Sequence, residues 1–372
     1  MCKNLGGQKE LIDIKNYGFI GNTELKNGLI IGRITEQQKD HYRVMCCHGD
    51  VYAFLKGSFI YTADIRGDLP CVGDFVEMRY NDSGPSVIEK MLPRRTKFSR
   101  ANFLGHAVGY VKSVYEQVVS ANFDYVFILS SLNLDFNANR IERYIIQARQ
   151  SGGKPVVILT KADLVENYDK QINEIKNIAS DVDVYAISAH NGYGMESLNN
   201  YLAPAKTIVF LGMSGVGKSS LLNALMQSEV METKEIREND AKGRHTTTHR
   251  QLFMLDCGAM VIDTPGMREL GLYDAIDGVS ENFTDIEELF LQCRFSDCKH
   301  RSEPGCAVKA ALRNGTLLQK RWDNYNVQLK ESLFVKRREV VQTIRDEKNK
   351  KRAENSSKKK VRRNERFELD EE

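Results

Sequence analysis

The sequence predicts a multidomain chain with an N-terminal OB-type β-barrel, a central α/β domain and a C-terminal helical module. Short alternating apolar runs between turn residues predict the barrel. Continuous apolar runs and a Gly-rich turn predict the α/β domain. Cys and His residues grouped in a short stretch mark the module. The predicted parts are an extension over 1–26, the barrel over 27–93, the α/β domain over 94–275, the module over 276–335 and a basic, disordered tail over 336–372.

The composition is typical of a globular protein. With 372 residues, 41% of them hydrophobic, the chain is long enough for two or three domains with their own cores. No apolar run approaches the ~18 residues of a membrane span, and the first residues lack the apolar core of a signal peptide. We therefore expect a cytoplasmic protein without a membrane partner. In that compartment its eight cysteines are not expected to form disulfides, and Cys46 and Cys47, in a strand-like run, are expected to be buried thiols.

The formal net charge of +3 is unevenly distributed. Between Lys336 and Arg363 there are thirteen Lys and Arg against four Asp and Glu, so the rest of the chain is acidic on balance. This tail is where a polyanion such as RNA would be attracted. The alternative is a solvated tail that has no binding role.

About five short strands in the second part of the chain suggest a small closed barrel. Four of the alternating runs are 28–34, 41–46, 51–55 and 74–80. Barrels of this kind often bind RNA through aromatic and basic residues on one face. Such a face, or ordinary surface and core, would explain Tyr42, Arg43, Tyr52, Lys56 and Arg66. The basic stretch Leu92–Arg100 is either a solvated linker or a second nucleic-acid contact.

The first half of the α/β domain carries a candidate guanine-recognition motif. Its predicted elements are a strand over 125–129, a helix over 138–149 and a strand over 155–159. The second strand ends in the tetrapeptide TKAD, which is Thr160, Lys161, Ala162 and Asp163. A carboxylate accepts two hydrogen bonds from the N1–H and exocyclic amine of guanine, so Asp163 is suited to select that base. Lys161 would lie along the base or brace a phosphate loop, and a backbone N–H at Ser188 or Ala189 could reach the guanine carbonyl oxygen.

A phosphate-loop pattern, G-x-x-x-x-G-K-[ST], follows an apolar strand and opens a helix. It comprises Gly212, Met213, Ser214, Gly215, Val216, Gly217, Lys218, Ser219 and Ser220. The glycines let backbone N–H groups converge on a phosphate, and the helix N-terminus adds the positive end of its dipole. Lys218 supplies a point charge and Ser219 can ligate Mg²⁺. A chance Gly-rich turn is the alternative, and the flanking strand and helix argue against it.

Two further motifs suited to a magnesium nucleotide follow the phosphate loop. In the polar run Gly243–Thr248 the Thr247 hydroxyl is suited to complete the Mg²⁺ shell, and a Thr-rich surface loop is the alternative. The apolar run 259–262 leads to DTPG, in which Asp263 would hold Mg²⁺ through water. The Gly266 N–H would sense the γ-phosphate.

These motifs stand in an unusual order, because guanine recognition precedes the phosphate loop. TKAD, ISA, GMSGVGKSS, GRHTTT and DTPG, with a barrel before them and a Cys/His group after them, resemble the ribosome small-subunit-dependent GTPase A family of circularly permuted GTPases. The resemblance covers roughly residues 28–335. It implies a circularly permuted P-loop GTPase domain that binds GTP and GDP. It also implies a GTPase that binds the 30S subunit late in assembly and is stimulated by it.

The residue after DTPG departs from common GTPases. Met267 stands where many GTPases have a glutamine that orients the attacking water. A thioether cannot orient water, so intrinsic hydrolysis is expected to be slow. The resemblance assigns water positioning to His245, aligned by ribosomal RNA. A solvent-exposed histidine without a catalytic role is the alternative.

The C-terminal module contains Cys293, Cys298, His300 and Cys306, with the spacing C-x₄-C-x-H-x₅-C. Three thiolates and an imidazole make a closed tetrahedral Zn²⁺ set of the structural kind, and reactive or simply buried thiols are the alternative. The resemblance implies zinc at the same four residues. One Zn²⁺ would organise a region too short to build its own core. Helices are predicted over 307–313 and 317–334, with Trp322 in a packing role.

The sequence-based hypothesis is a GTP phosphohydrolase that uses Mg²⁺ and acts, as a monomer, on the 30S subunit and its 16S rRNA. GTP hydrolysis would time late subunit assembly and release of the protein. The alternative is an RNA-binding assembly scaffold in which nucleotide binding is structural. A permuted GTPase of another ribosomal step is disfavoured by the barrel and the zinc set together.

Overall fold

The structure is a computed structural model of the chain. It describes residues 11–23, 25, 27–38, 41–62, 69–107, 110–133, 136–228, 250–263, 276–338, 340–341, 344–345 and 348. An eleven-stranded sheet, a two-stranded ribbon and a set of helices make up the described fold. Among these residues no helix combines the length and the hydrophobicity that a membrane span requires.

The N-terminal part is a closed barrel. Its elements are β1 (Ile30–Gln37), β2 (Tyr42–Cys46), β3 (Gly49–Leu55), the short helix α1 (Gly57–Thr62), β4 (Phe75–Arg79) and β5 (Ser86–Met91). The strands follow one another in the order β1-β2-β3-β5-β4, and β4 pairs back to β1 to close the ring. Side chains that alternate along the strands fill the interior, among them Ile34, Val44, Ala53, Met78 and Ile88. The predicted OB-type barrel is confirmed.

The chain then forms a long antiparallel ribbon, β6 (Lys97–Ala107) and β7 (Tyr110–Ala121). The stretch Leu92–Arg100 is therefore part of the fold and not a solvated linker. Arg94 lies largely buried, and its guanidinium donates at 2.8 and 2.7 Å to the two carboxylate oxygens of the fully buried Asp74. This paired contact holds the end of the barrel to the start of the ribbon.

The α/β domain continues the same sheet. Its elements are β8 (Tyr125–Ser131), α2 (Ala138–Gln150), β9 (Lys154–Thr160), α3 (Asp169–Ile178), β10 (Asp183–Ala186), β11 (Thr207–Leu211), α4 (Lys218–Met226), β12 (Arg250–Met254) and β13 (Met260–Asp263). The order in space is β10-β9-β8-β11-β13-β12, parallel except for β12. All five residues of β11 are buried, as expected for the central strand of a sheet covered on both faces. Strand β9, with the guanine-recognition motif, precedes β11 in the chain and lies two places from it in the sheet.

The barrel and the α/β domain are joined where β1 pairs with β12. Close to this junction Arg33 of β1 is completely buried. Its guanidinium donates to Tyr17 O at 2.6 Å, Asn122 O at 2.8 Å, Thr207 Oγ1 at 3.0 Å and Gly73 O at 3.3 Å. Burial lowers the pKa of Arg33 to about 9, so the side chain stays charged at neutral pH. One cation thus connects the N-terminal segment, the barrel, the ribbon end and the central strand.

The C-terminal module consists of α5 (Ile276–Asn282), α6 (Thr284–Leu291), α7 (Ala307–Asn314) and a helix α8 over 319–338. Its core contains Phe283, Ile286, Val308 and Tyr325, and Trp322 packs against this core as predicted. Ile146 of α2 belongs to the same cluster. The module therefore shares a core with the α/β domain and packs on the half that carries β8 and β9.

Glu142 of α2 is the buried acid at this interface and is only 1% exposed. Its Oε1 accepts a hydrogen bond from Arg321 at 3.2 Å, and its Oε2 accepts one from Asn324 at 3.0 Å. Burial raises the pKa of Glu142 to about 7, although Arg321 and Asn324 favour the ionised form. Near neutral pH this carboxyl is therefore close to half-protonated.

The pH dependence of module stability follows from this raised pKa. Folded Glu142 binds its proton more firmly than the unfolded chain, so its contribution is complete below pH 4.5 and is lost as the pH rises through about 7. We expect the urea midpoint, followed by Trp322 fluorescence, to fall between pH 5 and 8 in the wild-type chain. Glu142→Gln should flatten this fall, which in the free energy of unfolding amounts to up to about 3 kcal/mol. Glu331→Gln, at a more exposed ion pair with Arg143, is the matched control, and equal slopes for all three proteins would contradict the assignment.

Candidate functional site

The phosphate loop leaves the centre of the sheet after β11 and turns into α4. Gly212 has a φ of +153°, and a Cβ there would lie 2.6 Å from Leu129 O, so only glycine fits. Gly217, at the N-cap of α4, has a φ of +100°. The first N–H groups of α4 and the positive end of its dipole therefore face the loop. Such a cradle suits a phosphate.

Lys218 lies across this loop. Its ammonium donates to Gly212 O at 2.7 Å and to Met213 O at 2.8 Å. Burial lowers the pKa of Lys218, and the charge of Asp263 acts in the opposite direction. Asp263 ends β13, is buried, and pairs in register with Phe210 of β11. The structure thus brings together the lysine and the aspartate that the sequence analysis assigned to phosphate and Mg²⁺.

The TKAD motif, predicted to recognise guanine, contacts the phosphate loop directly. The Thr160 hydroxyl donates to Val216 O, across 56 residues of sequence. Atoms of the Thr160 side chain also lie 3.7 Å from the position that a Cβ on Gly217 would take. The end of β9 and the phosphate loop therefore form one continuous surface, in spite of their reversed order in the chain.

Two loops at the end of the sheet carry the remaining residues that the sequence predicts to recognise guanine. Lys161 has a φ of +61°, which turns the chain sharply after β9. The Ala162 N–H donates to Ile187 O at 3.1 Å, so the TKAD loop is bonded to the segment that leads into Ser188. The Asp163 side chain is exposed at this edge. The predicted selectivity of Asp163 for guanine therefore requires that the bound base covers this side chain.

A pair of tyrosines joins these two loops. The hydroxyls of Tyr168 and Tyr193 are 2.6 Å apart, and this hydrogen bond is the main reason that the pKa of Tyr168 is raised. The Ser188 N–H donates to Tyr193 O at 2.9 Å. Neither tyrosine belongs to a motif, so the sequence carried no signal for them.

The other residues that the sequence predicts to bind the nucleotide are half-buried, exposed or outside the described residues. Ser219 is half-buried in the first turn of α4 and Ala189 is half-buried beside Ser188, whereas exposed positions are held by Ser214, Gly215 and Ser220. His245, Thr247 and Gly266 lie outside the described residues.

The four Cys and His residues of the module converge. Their ligand atoms, one each from Cys293, Cys298, His300 and Cys306, all lie within 4.8 Å of one another. His300 Nδ1 is 3.6 Å from Cys293 Sγ and 3.5 Å from Cys306 Sγ. Tetrahedral bonds of ~2.3 Å to sulfur and ~2.0–2.1 Å to nitrogen would give a separation of about 3.6 Å. The cluster therefore fits one tetrahedral metal ion.

Neighbouring groups hold this cluster in place. The His300 ring stacks on Phe290 with centroids 4.2 Å apart, and the edge of Trp322 lies against it at 5.9 Å. Burial opposes ionisation of Cys293, but N–H groups of Ala307 and Val308 at the start of α7 lower the pKa of its thiol. Such an environment favours the thiolate that a metal requires.

Glu303 closes the loop between Cys298 and Cys306. Its carboxylate accepts hydrogen bonds from the backbone N–H groups of Lys299, Arg301 and Ser302 at 2.8–3.0 Å. The backbone N–H of Glu303 itself, followed by those of Arg301, Lys299 and Ser302, lowers the pKa of Glu303 to about 2. Nothing in the sequence marks this residue, since an isolated Glu in a charged loop resembles ordinary surface.

Comparison with known proteins identifies the family. A family model described as RsgA GTPase matches residues 91–273. Small ribosomal subunit biogenesis GTPase RsgA 2 of Listeria monocytogenes is 44% identical over 315 residues, which are 84% of this chain and 87% of that protein. The chain belongs to the RsgA GTPase family.

Solved structures of similar proteins agree with this assignment. The crystal structure of YjeQ from Thermotoga maritima has 28% sequence identity and a TM-score of 0.58, over 82% of this chain and 98% of that one. The structure of YloQ, described as a circularly permuted GTPase, has 23% identity and a TM-score of 0.54, over 85% and 98% of the two chains, and it supports the fold alone. The predicted family and the circularly permuted GTPase fold are confirmed. As an RsgA GTPase the chain is a GTP phosphohydrolase, and this activity implies Mg²⁺ with the nucleotide.

Proposed function

We propose that one surface binds GTP, with the guanine at the TKAD and ISA loops and the phosphates at Gly212–Ser220. The observation that carries this proposal is the contact of Thr160 with Val216 and Gly217, which joins the two motifs. Lys161 and Asp163 would hold the base, the Ser188–Ala189 backbone its carbonyl oxygen, and Lys218 the β- and γ-phosphates. Tyr168 and Tyr193 would keep the two base loops in register.

Mg²⁺ would be held by Ser219, Asp263 and Thr247, and Gly266 would contact the γ-phosphate. The positions of Ser219 in the first turn of α4 and of the buried Asp263 beside Lys218 support this set. The bound ion would neutralise charge on the phosphates during hydrolysis.

Asp163→Asn tests the guanine contact. An amide cannot accept both hydrogen bonds, one from the N1–H and one from the exocyclic amine of guanine. We therefore expect the KM for GTP to rise about 10- to 100-fold. The preference for GTP over ITP, which lacks the amine, should shrink in the same variant. Asp169→Asn, at the start of α3, is the control and should leave both values unchanged. A GTP/ITP ratio equal to that of the wild-type chain would exclude this role for Asp163.

We further propose that the protein binds the small ribosomal subunit and couples GTP hydrolysis to a late assembly step and to its own release. The name of the Listeria relative, a small ribosomal subunit biogenesis GTPase, supports this partner. The basic tail after Lys336 supports a contact with 16S rRNA in the 30S particle. We also propose that the protein is a monomer and that it is located in the cytoplasm with its ribosomal partner.

GTP hydrolysis with and without purified 30S subunits tests the partner. A GTPase whose turnover is timed by the particle should be strongly stimulated by 30S and not by 50S subunits. A scaffold in which the nucleotide is structural should show the same slow turnover in all three reactions. Lack of stimulation would therefore favour the scaffold and overturn the proposed coupling.

We assign water positioning to His245, since Met267 cannot orient water. His245→Ala is expected to reduce 30S-stimulated turnover about 100-fold or more, because general-base and positioning groups contribute ~10²–10⁴. GTP affinity, measured with a fluorescent analogue, should remain that of the wild-type chain. His190→Ala, an exposed histidine beside the ISA loop, is the control. Full stimulation in the His245 variant would remove this assignment.

We propose that the metal of the Cys/His cluster is one structural Zn²⁺. The three sulfur donors, the imidazole and the spacing of about 3.6 Å support zinc with no open coordination position. The division of the chain at 26, 93, 275 and 335 is part of the same proposal. In this scheme the metal organises residues 276–335.

A further inference from the structure

The second half of helix α8 has two different faces. One face is buried in the fold and carries Gln328, Ser332 and Val335, which are at most 4% exposed. The described residues 340, 341, 344, 345 and 348 are helical as well, and all five are exposed. The helix therefore extends beyond the part that packs on the rest of the protein.

The exposed face of this half carries apolar and basic residues in a series with steps of three and four residues, which places them side by side on a helix. We call this series the α8 stripe, and its exposed members are Val327, Lys330, Phe334, Arg337, Val341 and Ile344. Val327 is 60% exposed and Val341 is 57% exposed. A surface helix normally turns such a row of apolar residues toward a core, so the stripe is typical of a face that binds a partner.

The α8 stripe is positively charged, because its series contains two cations and no carboxylate. Glu331, the acid next to Lys330, is half-buried on another side of the helix and pairs with Arg143 of α2 at 2.7 Å. Lys330 and Arg337 therefore lie between apolar side chains without an acid in the same row. An occupant that matches this surface needs apolar groups and negative charges close together.

This chain contains a segment of that composition. Residues 367–372 read FELDEE, with two apolar residues, four carboxylates and no cation, and we call them the acidic segment. Residues 349–366, which are 18 in number, connect α8 to it and can span up to about 60 Å. The stripe is only about 26 Å long at ~1.5 Å per residue, so the acidic segment can reach all of it. A tether of this length gives an effective concentration on the order of millimolar, so a weak contact is sufficient.

We propose that the acidic segment docks on the α8 stripe in the free protein. Phe367 and Leu369 cover apolar side chains of the stripe, and the carboxylates pair with Lys330 and Arg337. A second copy of α8 is a poorer occupant, because it would bring its own cations against these two, and like charges at such contacts are unfavourable.

RNA and the acidic segment compete for the cations of the stripe. Phosphates can pair with Lys330 and Arg337, but they leave Val327 and Val341 in water, whereas the acidic segment covers both kinds of side chain. The docked segment therefore lowers the affinity of the basic tail for RNA until a particle with many phosphates displaces it. This competition rests on the proposed function, and the docking itself does not.

Photocrosslinking of the full-length chain tests the docking. With Phe367→p-benzoylphenylalanine, irradiation should give crosslinks within one chain to peptides that contain residues 327–344. Adding Glu368→Gln/Asp370→Asn/Glu371→Gln/Glu372→Gln, the neutral variant, removes the paired charges and should lower the crosslink yield at least about fivefold. The matched control neutralises three Glu and one Asp at exposed positions elsewhere and should crosslink as the wild-type segment does: Glu166→Gln/Glu196→Gln/Asp256→Asn/Glu288→Gln.

Anisotropy of a fluorescein-labelled single-stranded RNA octamer at fixed low salt tests the competition. The neutral variant, with phenylalanine at position 367, should bind the octamer at least about fivefold more tightly than the wild-type chain, because the cations of α8 are no longer covered. The control variant has the same net charge as the neutral variant, and its affinity should change by less than about twofold.

Crosslinks confined to residues 349–366, or an unchanged yield in the neutral variant, would overturn the proposal. Crosslinks between two chains, with a yield that rises with protein concentration, would assign the stripe to a second copy and also overturn it. Equal gains in RNA affinity for the neutral and control variants would show an effect of net charge alone and overturn the competition. The 30S-stimulated GTPase assay fails separately, since absence of stimulation removes the proposed function and leaves the crosslinks in place.

Discussion

Replacing Arg33 with methionine is expected to lower the free energy of unfolding by about 3–5 kcal/mol and the melting temperature by roughly 10 °C. The side chain is completely buried, and its guanidinium makes hydrogen bonds to three backbone carbonyls and to the Thr207 hydroxyl. Methionine fills most of the volume but leaves these four acceptors without their donor. An unsatisfied buried polar group costs about 1–3 kcal/mol, so several at one site produce a large loss.

The loss should be localised at the junction of the barrel with the α/β domain. Hydrogen–deuterium exchange is expected to rise most in β1, β11 and β12, because Arg33 and Thr207 lie on β1 and β11 and β12 pairs with β1. Arg33→Lys should recover little stability, since an ammonium keeps the charge but has no planar fork to reach four acceptors. Arg95→Ala, a more exposed arginine in the same region, is the control and should shift the melting temperature by less than about 2 °C. A stable Arg33→Met protein with unchanged exchange would show that the buried charge is not needed for this junction.

Arg33 also illustrates what the sequence could not reveal about the fold. Its carbonyl and hydroxyl hydrogen-bond partners lie up to 174 residues away, and an arginine within an alternating strand resembles an outward-facing position. The ribbon of β6 and β7 was missed for a different reason. The basic residues of Leu92–Arg100 suggested a solvated linker, and this charge signal outweighed the alternation that continues through Tyr110–Ala121. By contrast, β8, α2, β9 and β11 were predictable because their apolar periodicity is local.

The residues of the candidate site differ in the same way, because some follow a local sequence pattern and others depend on contacts between distant segments. The glycines of the phosphate loop, the TKAD tetrapeptide and the Cys/His spacing are local patterns whose chemistry limits the residue types, so sequence alone located them. The contact between Thr160 and Val216 depends on β9 lying two places from β11 in the sheet, and the order of the motifs along the chain does not reveal this distance. The Tyr168–Tyr193 pair and the Glu303 carboxylate make contacts that no motif describes. Residues that hold a loop in shape were therefore harder to predict than residues suited to bind a ligand.

Cys306→Ser is expected to remove the proposed zinc and to loosen the C-terminal module. Structural zinc sites contribute about 10–16 kcal/mol of apparent binding free energy, so losing one of four ligands should cost on the order of 3–4 kcal/mol, about a hundredfold or more in affinity. Cys306 is the most demanding of the four positions because it is buried and is the N-cap of α7. Metal analysis should fall from one zinc per chain to less than about 0.2 after dialysis.

The packing of His300 against Phe290 and Trp322 determines how this loss can be observed. Without a metal to hold the imidazole, the stack at 4.2 Å and the edge contact at 5.9 Å are expected to loosen, and the emission of Trp322, the only tryptophan in the chain, should move toward that of a solvated indole. Chelation of the wild-type chain should produce the same shift, and zinc should reverse it. Cys257→Ser is the matched control, since Cys257 is an exposed free thiol outside the cluster. If Cys306→Ser kept a full equivalent of zinc and the wild-type emission, the metal would not be what holds α6, α7 and α8 together, and the shared core with α2 would have to account for the stability of the module alone.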